Sequence, residues 1–406
     1  MIIVKLMRGV KLTFLAIALV IIIYCVWVFV RPISPIQPTL INTETIQTAV
    51  NLSWPSQGQS AVGIVNSPIL VTNKPETPSP TASTAKLITA LTVLKIKPLT
   101  LNEQGPIITL GPSDVQIYKN YVAAQGSVVP VAAGEKITEY QMLQAMMLPS
   151  ANNMADSLAI WAYGSLQNYT QAATDYLKSL GLNDTHISTD ASGFAPGTTS
   201  TASDLVKIGE TAISNPVLAS IVGQPTATDI PLVASAKNVN YLLGTNNIIG
   251  IKTGNTDQAG GVYISASRIT LDGQNLTIVT ANIGASTLGQ AVSGSLPLIQ
   301  SAQKNVVVQS PVTAGSVVGY YLPPWDKEKI NITTNSNVAT LIWKGDSLNL
   351  SKNIISINKS LAPGSVVGTV KSFGNGVIYS SKVNLVTTSA INKPSIWWRL
   401  SHPNFT

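Results

Sequence analysis

Apolar and polar positions recur with different periods along this 406-residue chain, and each change of period marks a change of structure. Residues 12–30, LTFLAIALVIIIYCVWVFV, are apolar on every side and uncharged; as a helix they span roughly 28 Å, close to a bilayer core. RPISPIQPTLINTETIQ then spaces its prolines as an extended stalk does. From about 47 to 300, short strands and helices mix. AVGIVNSPILVTN (61–73) predicts a hairpin, and PTASTAKLITALTVLKIK (80–97) a helix with Leu87, Ile88, Leu91 and Leu94 on its apolar stripe. Helical spacing returns at 138–148, 153–164 and 170–181. GIKTG (250–254), GGVYISASRI (260–269) and NLTIVTANIG (275–284) predict an antiparallel sheet, and 293–306 a closing helix. Helices grouped between early and late strands make an α+β pattern. Beyond about 306 the texture becomes short Val- and Ile-rich runs between Gly, Pro and Asn turns, with GSVVG at 315–319 and again at 364–368. This predicts a small all-β domain to about residue 390, with a weak internal echo, and a tail at 391–406 carrying Trp397, Trp398 and Arg399. Packing of that tail on the β domain is expected, with a membrane-interface contact as the alternative.

Composition changes the picture in two ways. Only 11% of residues are charged while Asn, Ser and Thr abound, which suits a secreted or surface protein. The net charge of +7 comes from 25 scattered Lys and Arg without a basic run interleaved with aromatics, so nucleic acid is not the expected partner; an anionic membrane or wall polymer is. Lys5, Arg8 and Lys11 precede the apolar span and only Arg31 follows it closely, which keeps the N-terminus in the cytoplasm. No small-x-small cleavage site follows, so 12–30 reads as an uncleaved single-pass anchor. The expected order is a cytoplasmic tail (1–11), transmembrane anchor (12–30), linker (31–46), extracytoplasmic catalytic domain (47–305), β domain (306–390) and tail. Cys25, inside the span, is the one cysteine, which excludes an intrachain disulfide and a cysteine metal site. With only His186 and His402, neither a His-based zinc centre nor a Ser-His-Asp triad is supported, and no cofactor or metal is expected.

One residue of the 80–97 helix does not fit its stripe. Lys86 lies about 60° from Ser83 and between the directions of Ala90 and Val93, where an ammonium is costly unless paired or neutral. Two further short stretches explain it: Ser150-Ala-Asn152, between two predicted helices, and Lys252-Thr253-Gly254, leading a strand. Each has a structural explanation singly, as a snorkelling lysine, a cap, a strand-edge charge. Together, in this order and these settings, they form the S-x-x-K, S-x-N and K-T-G set of active-site serine enzymes that react with penicillin. The chemistry is coherent. A serine hydroxyl needs a base, and a lysine one turn along, desolvated into its neutral form, can be one. Ser83 at a helix N-terminus has free N–H groups nearby. Lys252 would depress the Lys86 pKa by repulsion and attract an anionic substrate. Ser150 could pass a proton to the leaving amine, and Asn152 could orient a peptide bond. Gly254 permits close approach, and the N–H of Asn255 with that of Ser83 would form an oxyanion hole.

The chain resembles the serine D-alanyl-D-alanine carboxypeptidases, the low-molecular-mass penicillin-binding proteins of bacterial cell-wall metabolism. The likeness runs over roughly 47–385 and includes Asp190-Ala-Ser-Gly193, similar to the family's D-x-S-G loop, and the stretch 250–260 around the K-T-G strand. It implies a penicillin-binding/β-lactamase-like catalytic fold followed by a β domain. It also implies an acylated Ser83 with Lys86 as base, Ser150 and Asn152 as the second motif, and Lys252 and Thr253 binding a carboxylate. Peptidoglycan stem peptides would be substrates and β-lactam antibiotics inhibitors. Three departures stand out. Ala151 replaces the glycine of S-G-N, Asn255 the usual histidine, and Gln290 stands where many members hold the terminal carboxylate with arginine. A D,D-endopeptidase with the same site and a catalytically idle wall-binding protein are the alternatives. A class A β-lactamase fits less well, because no glutamate occurs between Glu139 and Glu210 to activate a deacylating water.

Overall fold

The computed structural model describes residues 2–42 and 49–402, with side chains from Met7 onward. Residues 43–46 of the expected linker, 47–48 at the expected start of the catalytic domain, and 403–406 of the tail lie outside the described residues. The chain forms two compact units. One comprises Ala49–Val307 with Trp343–Gly345, the other Met1–Thr48, Val308–Ile342 and Asp346–Thr406.

The first unit is built on five antiparallel strands: β1 (Gln59–Ile64), β2 (Leu70–Thr72), β3 (Ile248–Thr256), β4 (Gly260–Leu271) and β5 (Gln274–Ala285), in the spatial order β3-β4-β5-β1-β2. Register follows the period of two. Val262, Ile264 and Ala266 of β4 face Ile283, Ala281 and Val279 of β5 on the side of the main core, while Tyr263, Ser265 and Ser267 alternate to the other face. Both faces are covered, which is why these strands read as apolar runs rather than as half-polar ones.

Eight helices complete the unit: α1 (Ala85–Ile96), α2 (Pro112–Ala123), α3 (Glu139–Met147), α4 (Asn152–Tyr163), α5 (Leu166–Ser179), α6 (Ala202–Ser214), α7 (Pro216–Val222) and α8 (Leu288–Asn305). The hairpin, four helices, three sheet strands and closing helix expected from the sequence are all present. Helix α1 differs from its expected one-sided stripe. Every residue from Ala85 to Leu94 is buried, Lys86, Thr89 and Thr92 included, so it is the central helix of the unit. Helices α2, α6 and α7 were not anticipated. α8 starts five residues before its expected Ser293, because Thr287 caps it: its hydroxyl accepts from the Gln290 N–H at 3.2 Å and donates to the Gln290 side-chain carbonyl at 3.1 Å.

The second unit carries a six-stranded antiparallel sheet in the order Thr39–Leu40, Val317–Tyr321, Ile330–Thr334, Val383–Thr387, Val366–Phe373 and Asn349–Ile354. Its first strand comes from the segment read as a stalk. Thr39 pairs with Tyr320 and Leu40 with Gly319, and Ile36, in the core, exchanges backbone bonds with Ile357. The two GSVVG copies make the same turn. Gly315 and Gly364 each donate at 2.8 Å to a threonine carbonyl, of Thr334 and Thr387, and those threonine N–H groups donate back to Ser316 and Ser365. Helix Ile2–Val30 precedes the sheet, and its portion Met7–Val30 is long and apolar enough to cross a membrane. The tail forms a short helix, Ile396–Ser401, in which Trp398 packs edge-on to Trp325 while Trp397 remains 80% exposed.

Candidate active site

Ser83 sits in the 3-10 turn Ala82–Thr84 that leads into α1. Thr81 anchors this turn by donating its N–H to the Thr198 carbonyl at 3.0 Å, and Ala82 adopts a left-handed φ of 46°. One turn on, Lys86 is fully buried, and its Nζ donates three hydrogen bonds: to Ser83 Oγ at 2.8 Å, Asn152 Oδ1 at 2.7 Å and the Ser192 carbonyl at 3.0 Å. This answers the misfit in the sequence. An amine surrounded by acceptors and sealed from water has its neutral form favoured by burial and its position fixed by geometry.

Ser150 occupies the break between α3 and α4 with φ of 66°, a conformation that costs a non-glycine residue roughly 1–3 kcal/mol. The segment is held from three sides. Asn152 N–H donates to the Ser127 carbonyl at 2.7 Å, Ala151 N–H to the Ala145 carbonyl at 3.3 Å, and Lys252 Nζ to Ser150 Oγ at 2.8 Å. Ala151 itself has φ −65° and ψ 122° and lies in the core, so the middle position of this motif does not demand glycine here.

Lys252, Thr253 and Gly254 lie on β3, in register with Ile264, Tyr263 and Val262 of β4. Gly254 is required by space: a Cβ there would stand 2.9 Å from the Thr81 carbonyl and 3.1 Å from the Ser83 nitrogen. Asn255 follows, exposed, on the cleft wall. The cleft, about 250 Å³, is lined by Ser83, Ser150, Asn152, Thr253, Gly254 and Asn255 among others, and none of its lining residues is acidic or an arginine. Lys86 and Lys252 reach it from beneath. The structure therefore brings all eight sequence-selected residues to one place. Gln290 is not among the lining residues. It is exposed and spends its side chain on the cap of α8, whereas Leu288 lines the cleft.

Behind Lys86 stands a polar layer in which the 190–193 loop, noted in the sequence, meets Asp156 and Tyr121, which no motif revealed. Asp190 Oδ1 accepts from Ser192 N–H (2.8 Å), Ser192 Oγ (2.6 Å) and Phe194 N–H (3.1 Å), shaping the loop whose Ser192 carbonyl receives Lys86. Gly193, at φ 73°, presses this loop onto the Ser83 turn; a Cβ would fall 2.1 Å from the Ala82 carbonyl. Asp156 accepts from Ala191 N–H and from the Tyr121 hydroxyl, each at 2.8 Å, and Tyr121 also lies 3.2 Å from Ser192 Oγ. The one signal for Asp156 in the sequence was its spacing, four residues after Asn152 on the same helix face.

The electrostatics of the two lysines differ from the expectation. Burial brings the Lys86 pKa down to about 7, while Asp190 and Asp156 work in the opposite direction. The Lys252 pKa is also lowered well below its ordinary value, first by burial and then by the charge of Lys86. Each amine disfavours a proton on the other, and the carboxylates behind Lys86 favour a proton there. Burial also raises Asp156 to about 6 and Tyr121 well above the ordinary phenol value.

The family model for D-alanyl-D-alanine carboxypeptidases, Peptidase S11, matches residues 57–287. The chain is 25% identical over 329 residues to the D-alanyl-D-alanine carboxypeptidase DacD of Salmonella typhimurium, covering 79% of this chain and 82% of that one. It is 27% identical over 266 residues to a D-alanyl-D-alanine endopeptidase of Pseudomonas aeruginosa, covering 60% and 81%. Among solved structures, penicillin binding protein 5 from Haemophilus influenzae superposes with a TM-score of 0.59 at 21% identity, over 85% of this chain and all of that one. That last likeness speaks for the fold. With the family match spanning more than half of the sequence and the serine, lysine and K-T-G groups converging on one cleft, the chain belongs to the D-alanyl-D-alanine carboxypeptidase family, penicillin-binding serine peptidases that act on peptidoglycan.

Proposed function

We propose that this chain is a membrane-anchored D-Ala-D-Ala carboxypeptidase that removes the terminal D-Ala of stem peptides through an acyl-enzyme on Ser83. The observation that carries the reading is the 2.8 Å hydrogen bond between Ser83 Oγ and a fully buried Lys86 with a lowered pKa. Neutral Lys86 takes the Ser83 proton as Oγ attacks the carbonyl of the D-Ala–D-Ala bond. The N–H groups of Ser83 and Asn255 receive the oxyanion. The leaving amine takes its proton by way of Ser150, and water then cleaves the ester. Asn152, its Oδ1 engaged by Lys86, keeps Nδ2 to donate to the substrate's peptide bond. Thr253 and Lys252 receive the terminal carboxylate. An incoming carboxylate raises the Lys252 pKa and draws a proton to it, and the resulting repulsion favours neutral Lys86 at the moment a base is needed. Helix Met7–Val30 holds the protein in the cytoplasmic membrane with the catalytic unit outside, as the basic residues before it and Arg31 after it suggest.

A second reading, D,D-endopeptidase action on cross-links with the same residues, is favoured by the cleft wall. With no arginine in the lining, a free terminal carboxylate meets less charge than a dedicated carboxypeptidase would offer. The decisive experiment digests purified peptidoglycan and weighs the muropeptides. Loss of one alanine from pentapeptides supports the first reading, and conversion of dimers to monomers supports the second. Ser83→Ala should abolish both activities and labelling by a fluorescent penicillin; equal labelling of the variant and wild type removes the nucleophile assignment.

A further inference from the structure

The helix Ile2–Val30 ends against the chain's own C-terminal turn. Tyr24 donates its hydroxyl to the Leu400 carbonyl at 2.9 Å. Arg399 Nη1 donates to the carbonyls of Phe29 at 3.1 Å and Val28 at 3.4 Å, in the last turn of a helix, where carbonyls lack intrahelical partners. Arg31 Nη2 donates to the His402 carbonyl at 2.6 Å, and the guanidinium lies over the Trp27 ring, 5.1 Å from its centroid. Its other terminal nitrogen, Nη1, is buried and meets no acceptor among the described residues. A buried guanidinium N–H left unpaired is costly, so the surroundings of Arg31 matter.

Two concavities meet at Arg31. One, of about 220 Å³, has Arg31, Lys359, Lys393 and Arg399 in its wall and no acidic residue. The other, of about 500 Å³, runs along Ile22, Ile23, Val26, Trp27 and Val30 and shares Arg31 and Pro32 with the first. Four cations without a carboxylate fit an anion, and an apolar groove continuous with them fits a hydrocarbon chain. We propose that the pair forms a binding site for an anionic phospholipid, with its phosphate in the cationic cleft and an acyl chain along the helix groove. A soluble phosphate or a phosphate-bearing wall polymer would use the cleft alone and leave the groove unexplained. The inference rests on the membrane reading of Met7–Val30, which sets the cleft at headgroup level. Trp27 and the exposed Trp397 provide the amphipathic rings that prefer that depth.

The test uses the full chain in a neutral detergent, titrated with dioctanoyl phosphatidylglycerol and read by native mass spectrometry. Dioctanoyl phosphatidylcholine and glycerol 3-phosphate serve as comparisons. The variant is Lys359→Gln with Lys393→Gln, two exposed lysines outside the contacts that cap the helix. One equivalent of the anionic lipid should bind at least tenfold tighter than the zwitterionic one. The double variant should lose roughly fivefold per lysine, about 25-fold in all. Equal binding of the two lipids, or an unchanged double variant, overturns the site. Glycerol 3-phosphate binding as tightly as the lipid overturns the acyl groove and leaves a soluble-anion cleft. Flotation with vesicles of phosphatidylcholine alone tests the anchor separately. Failure to float contradicts the membrane reading, while flotation without selectivity for the anionic lipid contradicts the cleft.

Discussion

Lys252 Nζ and Ser150 Oγ are joined at 2.8 Å although 102 residues separate them, and the bond ties strand β3 to the left-handed turn between α3 and α4. Both ends matter, because the serine backbone is strained and the amine is buried. Lys252→Ala should therefore cut turnover of a carboxylate-terminated peptide by roughly 10²–10³, the cost typical of removing a stabilising group from a preorganised site. Steady-state kinetics decide; a loss below tenfold would detach Lys252 from the chemistry.

In the proposed mechanism Lys86 acts in its neutral form, and burial brings its pKa to about 7. The rate of acylation by penicillin should thus rise with pH through about 7 and level off above, being roughly tenfold lower at pH 6 than on the plateau. Asp156 and Asp190 favour the protonated amine. Removing one, as in Asp156→Asn, should move the rising limb to lower pH. A limb that stays in place, or moves upward, contradicts the electrostatic role given to the polar layer.

Arginine substitution distinguishes two positions near the start of α8. Leu288 lines the cleft and Gln290 caps the helix. Leu288→Arg should lower KM for D-Ala-D-Ala peptides with little change in kcat, since the added charge binds ground and transition states alike. Gln290→Arg should leave KM unchanged and cost some stability through the lost hydrogen bond from the Thr287 hydroxyl to the Gln290 side chain. If position 290 is the one that responds, the assignment of the wall is wrong.

Glu139 is fully buried at the start of α3, and neither carboxylate oxygen finds a hydrogen-bond partner among the described residues. Burial raises its pKa to about 7 from an ordinary value of 4.5, and Lys97 opposes this only partly. Because the folded value lies above the unfolded one, stability is highest in acid and is lost as pH rises from 4.5 through 7. Glu139→Gln, which mimics the protonated acid, should gain about 3 kcal/mol on the wild type between pH 4.5 and pH 8. Denaturant unfolding at the two pH values checks the change; a constant difference between the proteins would show that the carboxyl is neutral throughout.

Much of the site was legible because nucleophile chemistry needs particular residues at short spacings. Ser83 and Lys86 are one helical turn apart, and Lys252, Thr253 and Gly254 are contiguous, so the pattern survives in a linear string. Tyr121 and Asp156 were not legible, since they act on Lys86 through the 190–195 loop and their spacing is set by tertiary packing. The fold shows the same division. Strands covered on both faces announce themselves as apolar runs. Helix α6 escaped notice because its apolar positions are interrupted by Lys207, Glu210 and Thr211, partly buried at its edge, with Lys207 and Glu210 paired at 2.8 Å. The strand Thr39–Leu40 was hidden by its prolines, which suit a sheet edge as well as a stalk.

That edge strand has a mechanical meaning. Only Arg31 to Pro35 separate the end of the long helix from Ile36, which is already fixed in the β-sheet core. A chain of that length reaches at most about 20 Å when fully extended. With the helix in a bilayer, the β-sheet works as a bracket bolted to the membrane surface, where a free stalk would have been a leash.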